Sequence, residues 1–167
     1  SVLGGLFGTT RSIIGSVTAP ASYTPLGTFA TGNSQSALLV LARQTTDATP
    51  TVLASDVNAA ATTNQVILPN NSAYYFEGKI VAGVTGAGDT SSWQFQGTIK
   101  RGANAASTTL VAAVTPTVVS QDAGAALWGG VTVTADTTNG GLAVTVTGKA
   151  STTIRWVCKL ETVEMTF

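Results

Sequence analysis

Residues 131–167 read VTVTADTTNGGLAVTVTGKASTTIRWVCKLETVEMTF, and this stretch decides the fold class. Val131, Val133 and Ala135 alternate with Thr132 and Thr134, and Leu142, Val144 and Val146 alternate with Ala143, Thr145 and Thr147. Alternation sends successive side chains to opposite faces of a pleated strand, so each arm offers an apolar face to a core and a threonine-rich face outward. Asn139-Gly140-Gly141 between the arms tolerates positive φ, as a tight hairpin connection requires. After a second turn at residues 148–151, Ile154, Trp156, Cys158 and Leu160 share one parity, with Arg155, Val157 and Lys159 on the other. The C-terminal third therefore reads as a three-strand antiparallel meander. Beyond Leu160 the apolar parity moves to Val163, Met165 and Phe167, which predicts a bulge near Glu161-Thr162 or a last strand buried on both faces. Three strands cannot bury themselves, so the remaining chain must supply an opposing sheet.

The upstream sequence continues in the same style. Tyr74, Phe76, Ile80, Ala82 and Val84 form one apolar stripe, and Trp93, Phe95 and Ile99 form its partner across a loop at residues 83–92. Shorter strands are expected at residues 36–43, 51–54, 65–68, 107–111 and 117–120, separated by Pro, Gly and Asn clusters. Short strands at this spacing indicate a sandwich, jelly roll or small barrel. The expectation is an all-β, antiparallel β-sandwich or jelly-roll-like domain over residues 36–167, preceded by an extended arm over residues 1–35. The arm is glycine-rich and apolar, and Pro20 and Pro25 interrupt it. Its apolar residues Leu3, Leu6, Phe7, Ile13 and Ile14 have no regular period, and anchoring on a neighbouring subunit or another protein is expected of them.

Composition narrows the function. Of 167 residues 44 % are hydrophobic and mean hydropathy is +0.30, yet only 10 % are charged, against roughly 25 % in an average soluble domain. No apolar run approaches the ~18–20 residues of a membrane-spanning helix, so membrane insertion is not expected. Weakly charged surface calls for subunit contacts, which predicts a homo-oligomer. Eight basic and eight acidic residues balance, and only Lys100-Arg101 stand together, which argues against a nucleic-acid partner. Histidine is absent and Cys158 is the single cysteine. That removes the commonest general base and the soft ligands of a zinc site, and Cys158 itself reads as a buried thiol. Asp47, Asp56, Asp89, Asp122 and Asp136 stand alone in turns, where an aspartate serves the backbone. No catalytic constellation, metal site or cofactor is expected, and the chain reads as non-enzymatic.

Aromatic residues are the better candidates for function. Tyr74, Trp93 and Trp156 share parity with aliphatic neighbours and read as core. Tyr75 and Trp128 are freer, and Trp128 lies in the glycine-bounded loop Gly124-Ala-Ala-Leu-Trp-Gly-Gly130. Both are candidates for stacking on a receptor glycan, with Trp128→Ala expected to leave folding nearly intact.

The segments Asn64-Gln-Val-Ile-Leu-Pro-Asn-Asn-Ser-Ala73, Ser92-Trp-Gln-Phe-Gln-Gly-Thr-Ile-Lys-Arg101, Ala106-Ser-Thr-Thr-Leu110, Thr134-Ala-Asp-Thr-Thr-Asn-Gly-Gly141 and Thr153-Ile-Arg-Trp-Val157 carry a resemblance. Residues 62–167 resemble a β-structured module of tailed-bacteriophage virion proteins, often placed near the C-terminus of tail-fibre-like proteins. The resemblance implies a non-enzymatic virion part, commonly homotrimeric, assembled in the host cytoplasm. It is used for attachment to host surface polysaccharide or for decorating the capsid, in contact with other virion proteins. A free-standing carbohydrate-binding module is a third reading.

Overall fold

Long alternating stretches become long strands, and the punctuated ones become short strands that extend or cover their sheet. The computed structural model describes residues 12–18 and 33–167. Among these, the strands are β1 (Ser12–Thr18), β2 (Asn33–Thr45), β3 (Thr51–Val52), β4 (Val66–Ile67), β5 (Ser72–Val84), β6 (Thr90–Arg101), β7 (Thr109–Leu110), β8 (Thr117–Gln121), β9 (Gly130–Asp136), β10 (Gly141–Thr147) and β11 (Ile154–Thr166). They form two antiparallel sheets. The larger, seven-stranded sheet runs β1-β2-β11-β5-β6-β7, with β8 also on β6; the smaller runs β3-β10-β4, with β9 on the other edge of β10. Leu53, Val66, Leu68, Val133, Leu142, Val144 and Val146 of the small sheet and its connections share one core with Leu41, Phe76, Ile80, Phe95, Ile99, Ile154, Cys158 and Leu160 of the large one. The molecule is an all-β sandwich, as its alternation predicts.

The β9–β10 hairpin forms as expected. Asp136 Oδ1 accepts the backbone N–H groups of Thr138 and Asn139, both at 2.9 Å, and its Oδ2 accepts Asn139 Nδ2 at 2.7 Å. Gly140 then turns the chain at a φ of +79°, a conformation costly for any residue with a Cβ.

The expected meander does not form. β10 already pairs with β9 along one edge and with β3 and β4 at the two ends of the other. With both edges taken, β11 crosses to the large sheet and pairs between β2 and β5.

The bulge expected near Glu161-Thr162 is also absent. β11 holds one register against β2 from Ile154↔Thr45 to Met165↔Ser34, and one against β5 from Ile154↔Val84 to Thr166↔Ser72. A slip would break hydrogen bonds on both edges at once, so two long ladders override the change of apolar parity. Thr162 and Glu164 consequently lie inside at 1 % and 3 % exposure, while Val163 and Phe167 are 59 % and 66 % exposed. The buried polar groups are met: Thr162 Oγ1 donates to Glu164 Oε1 at 2.6 Å, and Gln35 Nε2 donates to Glu164 Oε2.

The boundary expected at residues 35/36 falls inside β2. Ser12–Thr18, expected within the arm, is an edge strand paired with β2 from Thr18↔Asn33 to Ser12↔Leu38. Ile13 and Ile14 lie on that strand. Leu3, Leu6 and Phe7 lie outside the described residues.

Candidate functional site

Trp128 is not a surface residue. It is 8 % exposed, and its ring lies 5.5 Å from Trp156 and 6.4 Å from Trp93, while Trp93 and Trp156 are 5.5 Å apart. The three tryptophans form one buried cluster, with Trp128 edge-on to Trp156. A 3-10 turn at Ala125–Leu127 swings the indole inward, because Ala125 is fully buried and its carbonyl accepts Gln121 Nε2 at 3.2 Å. Gly129 then donates its N–H to the Gly148 carbonyl at 3.1 Å, and a Cβ there would meet Thr147 Cγ2 at 2.3 Å. Gly129 beside Trp128 thus permits close packing, and Gly130 supplies a turn at a φ of +81°. They do not mark an exposed binding loop, and the large apolar residue left outside in this segment is Leu127. Trp156 is core as expected, with its Nε1 donating to the buried Thr45 Oγ1 at 2.9 Å.

Tyr75 does stand at the surface. Its hydroxyl lies 3.3 Å from Glu77 Oε2 and 3.2 Å from Gln96 Oε1, so it can donate to either. Desolvation first, and then the Glu77 carboxylate, holds the phenol above its usual pKa. It therefore remains a neutral donor at physiological pH.

Around Tyr75, register and parity assemble one continuous face. On the outer side of the large sheet, Val157 pairs with Val81, Lys159 with Lys79, Glu161 with Glu77, and Val163 with Tyr75. On the other edge of β11, Val40 pairs with Lys159 and Leu38 with Glu161. Val40, Val81, Val157, Val163, Met165 and Phe167 are all exposed. A lysine row and a glutamate row thus cross the middle of the face, with apolar rows on both sides. Lys159 Nζ lies 2.5 Å from Glu161 Oε1, and this contact holds the Glu161 carboxyl below its ordinary pKa. The sequence carried the signal for this face in the parity of Val163, Met165 and Phe167, which the continuous register of β11 turns outward.

Two depressions adjoin the face. A shallow groove of about 330 Å³ is lined by Glu77, Lys79, Gln94, Gln96, Thr115 and Thr117. A more open one of about 610 Å³ lies at the strand ends among Asn71, Lys100, Arg101, Ser107 and Phe167.

Asp47 and Asp56 serve turns, and Asp122 ties the end of β8 to the start of β6. Asp47 Oδ1 accepts Thr49 N–H at 2.7 Å, Asp56 Oδ1 accepts Asn58 N–H at 2.9 Å and Asn64 Nδ2 at 2.8 Å, and Asp122 Oδ2 accepts Thr90 N–H at 2.9 Å. These hydrogen bonds hold the Asp47 and Asp56 carboxyls below the usual range. Among the described residues no group of three or more His, Cys, Asp or Glu side chains could hold a metal ion. Burial pushes the Cys158 thiol up to about 12, far from the reactive thiolate. The chemistry the arrangement offers is contact: apolar rows, a charge ladder and a tyrosine hydroxyl. No family model, no curated protein and no solved structure matches this chain.

Proposed function

We propose that this chain is a non-enzymatic structural protein of a tailed-bacteriophage virion, of tail-fibre or receptor-binding type, working as a homo-oligomer. Its outer sheet face makes the contacts of attachment or assembly. The observation that carries the reading is that face: exposed valines, Met165 and Phe167 on a sheet whose inner side forms the buried core. A sheet presenting so many apolar side chains in one plane is suited to holding a partner. The resemblance adds support, since the segments that carry it fall on framework positions: β6, the β9–β10 turn, the entry to β5 and the start of β11.

Quantifying the chain against the major capsid protein in purified particles tests the proposal. Tens of copies per particle fit a fibre, and hundreds fit a capsid decoration or head-fibre protein. Absence from particles overturns the virion reading and leaves a free-standing carbohydrate-binding module. Tyr75 is the remaining glycan candidate, and Tyr75→Ala weakens adsorption to host cells if the face touches the receptor polysaccharide.

A further inference from the structure

Two features of the outer face bear on assembly. Directly opposed residues on neighbouring strands carry like charges, Lys159 beside Lys79 and Glu161 beside Glu77. Such pairs destabilise a sheet; the Lys159–Glu161 ion pair and the nearby Lys79 offset part of that cost, and exchanging the charges on one strand would have avoided it. The second feature is the symmetry of what lies on either side. Outward from the lysine row come Val157 and Val81; outward from the glutamate row come Val163 and Tyr75.

We infer that this face pairs with the same face of a second copy, about a two-fold axis running across the strands between the lysine row and the glutamate row. The inference rests on the homo-oligomer part of the proposed function and supplies its contact surface. Rotation about that axis lays β11 over β11 and β5 over β5. Lys159 then faces the second copy's glutamate row, Lys79 does the same on β5, Val157 lies over Val163, Val81 over Tyr75, and Val40 over Leu38. Rows of a single sign, unfavourable within one sheet, become complementary between two. The apolar rows supply the affinity, and the charge rows fix direction and register. Sheets packed this way lie about 10 Å apart. Because the contact is isologous it closes after two copies, which replaces the three-fold assembly that the resemblance implies.

Sedimentation and light scattering on the full chain give the first reading, with a dimer expected at micromolar concentration. The double variant Lys79→Glu/Lys159→Glu makes both charge rows acidic, and Glu77→Lys/Glu161→Lys makes both basic. Each alone should be a folded monomer by circular dichroism, and an equimolar mixture should regain the dimer. Thiol cross-linking with a short bis-maleimide tests the axis without relying on charge. Val163→Cys mixed with Val157→Cys should give cross-linked dimer. Val163→Cys alone should not, since its symmetry mate is about 20 Å away along the strand at ~3.3 Å per residue. The native Cys158, buried with its raised thiol pKa, does not compete. A trimer, or self-cross-linking of Val163→Cys, overturns the two-fold pairing. So does a wild-type monomer; if that monomer is still found in particles, the virion proposal stands and the face belongs to another virion protein or to the receptor.

Discussion

The two halves of β11 obey opposite rules. From Ile154 to Leu160 the inward positions are Ile154, Trp156, Cys158 and Leu160, with Arg155, Val157 and Lys159 outward; from Glu161 to Thr166 the polar Thr162 and Glu164 are inside and Val163 and Met165 outside. The backbone makes no distinction, since one register runs through both halves on both edges. Register is therefore set by the long ladders to β2 and β5 together with the tryptophan-bearing half. The second half follows that register against the preference of its own apolar pattern.

The sharpest way to break this comparison is at the first half's inner face. Trp156→Ala should cost about 3–5 kcal/mol in urea unfolding, because it empties the centre of the tryptophan cluster. Trp128→Ala should fall in the same range of about 3–5 kcal/mol, since Trp128 is the third member of that cluster. A nearly neutral Trp128→Ala would return that residue to the surface. In the second half, Glu164→Ala should cost about 1–3 kcal/mol by stranding Thr162 Oγ1 and Gln35 Nε2. If the loss is absent, polar contacts are not what makes the inverted half tolerable. On the outer side of the same half, Val163→Ser should change stability by no more than about 0.5 kcal/mol in the isolated chain. A larger loss would mean that the apolar outer row supports the fold itself.

The smallest effect is electrostatic. Glu161 has its folded pKa lowered, first by its bond to Lys159, so its contribution is present above the unfolded value of about 4.3 and fades as pH falls through the folded value. Thermal melts across this acidic range should show a shallow loss of stability that Glu161→Gln reduces. An unchanged slope would mean that the Lys159 contact adds nothing to the fold.

Local pattern made the β5–β6 and β9–β10 hairpins legible, because both strands and their turn lie within one stretch and the alternation of each fixes its inner face. The neighbours of β11 were not legible, since they depend on which edges remain open once β3, β4 and β9 have taken both sides of β10. Tyr75 was readable as a surface residue from its parity against Tyr74 and Phe76. Trp128 was not, because a loop has no parity and glycine neighbours signal close packing as readily as exposure. The outer face was visible only as a change of parity past Leu160. Its meaning required knowing that β11 is held on both edges.

The position of β11 also shapes how the chain reaches its fold. It follows every other strand of the sandwich in sequence, yet it sits between β2 and β5, with Ile154 beside Thr45. Until residues 154–166 are available, β2 and β5 each present an open edge facing a gap one strand wide. Pairing across so much sequence is slow, and open edges recruit other chains. Refolding should thus be limited by the insertion of one strand into a waiting slot, and chains interrupted before Ile154 should aggregate through that slot.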